Sequence, residues 1–133
     1  MNIVKLTDTV AVAGQVSPED VEEIAASGYR VLVNNRPDGE APDQPAGEAI
    51  AAAAQAAGMS YFHLPVTAAD FPGPDIQLMA SLLDNADEPV LAFCRTGTRC
   101  TNLWVTTRPE AEKGEAQARA KSLGFDLAMS DRC

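Results

Sequence analysis

At 133 residues and 14.0 kDa the chain has room for one compact domain with a hydrophobic core, residues 1–133, and is short for two. Hydrophobic residues make up 46%, but 23 of the 133 are alanines and only 5% are aromatic, so the core is built from small side chains; this suits helices laid on a sheet better than a disulfide scaffold or a disordered tail. Nineteen acids against ten bases give a net charge of −9, which repels phosphate backbones and anionic lipid and makes nucleic acid and membranes poor partners.

The start, Met1-Asn2-Ile3-Val4-Lys5, lacks the regions of a signal peptide, and no apolar run approaches the roughly 20 residues of a membrane span, so a cytoplasmic location is expected. Thr9 to Ala13 reads as a short strand. Ser17-Pro18-Glu19-Asp20 then supplies a cap, a first-turn proline and two acids to a helix running to about Ser27 and stopped by Gly28. Arg30 to Asn34 is a buried strand, and Asn35 to Gln44 a polar loop. The alanine-rich stretch Ala49 to Ala57, between Pro45 and Gly58, is a helix. A strand follows over Ser60 to Leu64, a loop over Pro65 to Pro74, a helix over Asp75 to Leu83 and a third buried strand over Glu88 to Phe93. After the tight segment Cys94 to Arg99 come a helix from about Cys100 to Thr107 and a last one from Glu110 to Leu123, closed by Gly124. Strands separated by helices imply an α/β fold, a parallel central sheet flanked by helices, with the ligand beyond the carboxyl ends of the strands.

That rule directs attention to Cys94-Arg95-Thr96-Gly97-Thr98-Arg99. A cysteine at the tip of a buried strand, opening a loop into a helix, faces backbone N–H groups and the positive end of a helix dipole, and Arg95 and Arg99 add positive charge. Such settings lower a thiol pKa into the range ~3.5–7.5. Cys94 is therefore the candidate nucleophile; Arg99 is its catalytic partner; Arg95, Thr96, Gly97, Thr98 and Cys100 are the candidate cradle for a small anion. Arg36 leaves a neighbouring strand at the same sheet edge, where it either adds positive potential to the mouth of the site or pairs with Asp38 or Glu40. Three cysteines and a single histidine, His63, speak against a disulfide framework and a zinc site; neither a metal nor a cofactor is expected. Cys100 reads either as a stand-in for serine at the helix start or as a resolving thiol for Cys94.

The stretches Ala13-Gly14-Gln15, Asn34-Asn35-Arg36-Pro37-Asp38-Gly39-Glu40, His63-Leu64-Pro65-Val66 and Cys94 to Arg99, with Leu103-Trp104 after the loop, resemble the DUF442 family, which includes the phosphatase-like domain of the beta-lactamase hydrolase-like proteins. The resemblance covers nearly the whole chain. It implies a fold like that of dual-specificity protein tyrosine phosphatases, and an activity that is either phosphatase or sulfur transferase.

Spacing separates the two. Cysteine-dependent phosphatases place five residues between nucleophile and arginine, whereas four intervene between Cys94 and Arg99, and Cys100 stands where the phosphatase arginine belongs. The pattern Cys-Arg-x-Gly-x-Arg resembles the rhodanese loop, whose smaller ring suits one persulfide sulfur better than a tetrahedral phosphoryl group. Phe93, in place of the histidine before a phosphatase cysteine, points the same way. The leading expectation is thus a sulfurtransferase carrying a sulfane sulfur on Cys94, from a small anionic sulfur donor to a thiol acceptor. The alternative is a phosphatase forming a phosphocysteine from a phosphate ester, with Asp70, in the loop before the third helix, as general acid, or Asp75 as its substitute. Asp70 reads equally as a turn cap. A third reading is an anion-binding regulatory domain without turnover.

Overall fold

The apolar runs of the sequence become the centre of one sheet. The computed structural model describes residues 1–133 and contains five strands: β1 (Ile3–Lys5), β2 (Val10–Ala13), β3 (Val31–Asn34), β4 (Ser60–His63) and β5 (Val90–Phe93). Their spatial order is β1-β2-β5-β3-β4; all neighbours are parallel except β1, which pairs antiparallel with β2. The helices are α1 (Pro18–Ala26), α2 (Gly47–Ala56), α3 (Ile76–Asp84), α4 (Thr98–Thr106), α5 (Glu110–Ser122) and α6 (Ala128–Asp131). The α/β class with a central sheet flanked by helices is therefore correct. None of the helices is long and apolar enough to cross a membrane.

Every residue of β2, β3 and β5 is buried, as parallel strands covered on both faces require. Alternation along each strand splits the core in two. Val10, Val12, Val31, Val33, Val90 and Ala92 pack with Met79, Leu103, Trp104 and Ala120 beneath α3, α4 and α5. Ala11, Ala13, Leu32, Leu91 and Phe93 pack on the other face with Val21, Ile24, Ile50 and Ala54 of α1 and α2. The small alanines on that face let the two helices lie close to the strands. Such burial stabilises by roughly 25 cal/mol per Å² of apolar surface.

Local chemistry sets the element ends. Ser17 Oγ accepts from Asp20 N–H at 3.3 Å and Asp20 Oδ2 accepts from Ser17 N–H at 3.0 Å, a reciprocal capping box in front of α1. Helix α2 starts at Gly47, ahead of the alanine run, because Asp38 Oδ1 accepts the Gly47 N–H at 2.8 Å. Three features differ from the sequence reading. β1 is an additional antiparallel edge strand, α6 is an additional short helix, and α4 begins at Thr98 inside the tight segment rather than at Cys100.

Candidate active site

Strand β5 lies between β2 and β3, so the residue that leaves it emerges at the middle of the sheet's carboxyl edge. That residue is Cys94. It continues the alternation of Val90 and Ala92 and joins the core beneath α4, with only 1% of its surface exposed. Gly97 then turns the chain into α4 at φ +87°, a left-handed conformation that only glycine takes without strain. The turn aims the Gly97 N–H at Cys94 Sγ, 3.1 Å away. The loop is strapped to the end of β2, since Cys94 N–H donates to Ala13 O at 3.3 Å and Gln15 N–H to Arg95 O at 3.3 Å. A Cβ on Gly14 would lie 3.0 Å from Arg95 O, so this close approach needs a glycine.

The electrostatics follow from that packing. Cys94 is held at a pKa of about 5, chiefly by a hydrogen bond from the Cys100 side chain; burial opposes the shift, and the backbone amides of Cys100 and Thr96 and the Arg99 charge reinforce it. Cys100 is itself fully enclosed. Burial pushes its thiol well above its ordinary value, with the neighbouring Cys94 charge adding to the effect. The two neighbouring thiols are thus shifted in opposite directions, Cys94 down and Cys100 up, and the Gly97 N–H points at Cys94 Sγ.

Arg99, in the first turn of α4, reaches back across the mouth of the loop. Its Nη1 donates to Glu40 Oε2 at 2.8 Å and to Val66 O at 3.0 Å, and its Nη2 to Glu40 Oε1 at 2.8 Å. Arg36 is buried beside them, with Nε on Glu40 Oε1 at 2.9 Å and Nη1 on Gln15 Oε1 at 2.9 Å. Of the two sequence alternatives for Arg36, the structure shows the pairing with Glu40, and the side chain also lines the cleft. Hydrogen bonds from both arginines hold the Glu40 carboxyl down to about 2, that from Arg99 first and against the opposing effect of burial. Arg36, Glu40, Ala41, Pro42, Arg95 and Arg99 enclose a cleft of about 420 Å³ above the loop. Arg95 is exposed there, and Thr96 Oγ1 donates to Thr98 Oγ1 at 3.0 Å on the rim.

The structure therefore gathers Cys94, Arg95, Thr96, Gly97, Thr98, Arg99, Cys100 and Arg36 at one sheet edge. Asp70 lies apart from the cleft lining. Its Oδ1 accepts from the Thr67 N–H at 2.6 Å and the Thr67 hydroxyl at 2.8 Å, and these bonds lower its pKa while it stands fully in solvent. Asp75 precedes α3 without a side-chain capping bond. His63 donates Nε2–H to Arg36 O at 2.8 Å and so orients the loop from behind. Trp104 and Leu103 are buried in the core, and Cys133 is exposed at the far end of α6. Glu40 is the residue of this cluster that the sequence marks only as a partner for Arg36; the acidic position closing the Asn35-Arg36-Pro37-Asp38-Gly39-Glu40 stretch was the available signal.

Comparison with known proteins gives the family and the fold. A family model described as "Beta-lactamase hydrolase-like protein, phosphatase-like domain" matches residues 2–111. A beta-lactamase hydrolase-like protein of Xylella fastidiosa is 34% identical over 133 residues, covering 98% of this chain and 31% of that protein. The chain thus spans about a third of the length of the curated relatives it matches. A crystal structure of a candidate phosphatase of Neisseria meningitidis is 38% identical, with a TM-score of 0.81, covering 99% of this chain and 96% of that one. The active form of Tk-PTP shares the fold at 17% identity, with a TM-score of 0.69 over 98% of this chain and 90% of that one.

Proposed function

Because the chain belongs to the family of beta-lactamase hydrolase-like phosphatase-like domains, we propose that it is a cysteine-dependent phosphatase acting on small phosphate esters. This reverses the order expected from sequence, where sulfur transfer stood first; neither the family nor the relatives speak for sulfur transfer. The observation that carries the reading is Cys94 itself, a buried thiol with its pKa lowered to about 5 at the carboxyl end of β5, in the loop whose Arg95 and Arg99 line the cleft.

In the proposed reaction the Cys94 thiolate attacks phosphorus, and the bond from phosphorus to the ester oxygen breaks. The departing oxygen takes a proton from solvent water, and the phosphoryl group remains on sulfur. Loop amides and Arg99 bear the charge on the equatorial oxygens. Water then attacks phosphorus, releasing inorganic phosphate and restoring the thiolate, with Cys100 S–H stabilising the sulfur as it leaves. Asp70 is poorly set to supply the first proton, since the Thr67 bonds stabilise its ionised form. Aryl phosphates, whose leaving groups need little protonation, are therefore the substrates of choice for a first assay.

Sulfur transfer remains the second reading on one observation, the four-residue spacing from Cys94 to Arg99 with Cys100 beyond it. The two separate in a paired assay. Incubation with an aryl phosphate should release phosphate and leave a trappable phosphocysteine on Cys94; incubation with thiosulfate should leave no adduct of about 32 Da on that residue. A persulfide adduct without phosphate release would overturn the proposal.

A further inference from the structure

Resting on the phosphatase reading for its ligand, we infer that Glu40 is the positioning residue of the site: it grips one edge of the Arg99 guanidinium so that the other edge is presented to the substrate oxyanion. A guanidinium has five N–H donors, which form an end-on fork from Nη1 and Nη2 and a side-on fork from Nε and Nη2. In Arg99 both Nη1 donors are taken, one by Glu40 Oε2 and one by Val66 O, and one Nη2 donor by Glu40 Oε1. The donors without a partner in the protein are the Nε–H and the second Nη2–H. They are adjacent, coplanar and parallel, which is the geometry that meets two oxygens of a tetrahedral oxyanion at once.

Glu40 can hold that pose because it is itself held. Its Oε1 accepts from Arg36 Nε at 2.9 Å, and Arg36 Nη1 is anchored on Gln15 Oε1 at 2.9 Å, whose Nε2 donates to Val16 O at 2.8 Å. The chain of contacts runs from the end of β2 through the loop after β3 to the first turn of α4. It thereby ties three segments, distant in sequence, to the angle of one side chain. A long arginine left to itself samples many rotamers, and ordering it on binding costs affinity; an arginine already ordered by Glu40 avoids that cost.

The contrasting role for this carboxylate is that of an internal anion filling the substrate's place, and the two roles make opposite predictions. Glutamine keeps the shape of Glu40 but has one acceptor oxygen, so it cannot serve both arginines and both Nη groups. In Glu40→Gln, inorganic phosphate binding measured by calorimetry should weaken by about tenfold or more, with KM for an aryl phosphate rising and the pH midpoint of Cys94 alkylation staying near its wild-type value. Folding is checked by circular dichroism, and Glu40→Asp, which keeps the charge but falls short of Arg99, should bind phosphate as weakly as Glu40→Gln. The decisive measurement is the cycle with Arg99→Lys, which lacks the fork: there Glu40→Gln should change phosphate binding by less than about twofold. Tighter phosphate binding in Glu40→Gln, or an equal loss in the Arg99→Lys background, would overturn the inference, as would a wild type that binds no phosphate. A wild type that binds phosphate with this dependence on Glu40 but turns over no ester would refute the phosphatase reading alone.

Discussion

Cys94 and Asp70 are both acidified by loops that direct hydrogen bonds at them, and the same shift has opposite chemical meaning for the two. Cys94 sits at the end of a central strand, buried, with a neighbouring thiol and loop amides converging on its sulfur. Asp70 stands in solvent and receives its bonds from Thr67, three residues away. For a nucleophile, stabilising the anion raises the fraction able to attack; for a general acid it removes the proton that must be given. A lowered pKa is therefore not a sign of catalysis until the role is specified. What distinguishes the two regions is the surrounding structure: one loop is assembled from three parts of the sheet edge, the other is a self-contained turn.

The largest effect that would expose this contrast is at Cys94. Cys94→Ser should reduce aryl phosphate hydrolysis by about 10³-fold or more, measured with the folded variant at neutral pH; a residual rate near wild type would mean that the buried thiolate is a bystander. Next comes the donor beneath it. Alkylation of wild-type Cys94 by iodoacetamide should reach half its maximal rate near pH 5, and Cys100→Ala should move that midpoint upward by about one unit, while Cys100→Ser, which keeps a donor, should move it less. An unmoved midpoint in Cys100→Ala would show that the loop amides and Arg99 suffice.

Smaller is the contribution of the Glu40 pairs to stability. A carboxyl whose folded pKa lies near 2 against an ordinary 4.5 stabilises the fold above about pH 4.5 and loses that contribution as pH falls toward 2. At a side chain 27% exposed this amounts to on the order of 1 kcal/mol after solvent screening, visible as a drop in urea midpoint over that window that Glu40→Gln flattens. Smallest is Asp70. Asp70→Asn should leave the aryl phosphate rate within about threefold of wild type, and a loss of a hundredfold would restore it as the general acid.

What could be read in the sequence depended on how far apart in the chain the cause lay. The α1 cap needs only Ser17 and Asp20, and the Cys94 loop announces itself by a buried run followed by a glycine and arginines, so both were legible. The strand β1 was not, because three residues carry too little pattern and their pairing with β2 is a tertiary matter. Nor was the Glu40 bridge, whose partner Arg99 is 59 residues away. The choice between phosphatase and sulfur transfer was weighted by the count of residues in one loop and by Phe93 in front of it, and neither describes which arginine edge faces the ligand.

The alternation of β5 places Val90, Ala92 and Cys94 on one face, so the proposed nucleophile is the last residue of a core stripe as well as the first of the loop into α4. Packing and reactivity are consequently properties of the same side chain. A substitution under α4 chosen only to tighten the interior, at Leu103 or Val105 for instance, would shift the helix whose first turns carry Arg99 and Cys100. Such a variant would register in the thiol's alkylation rate before it registered in a melting curve, and that rate offers a sensitive gauge of how well this half of the molecule is packed.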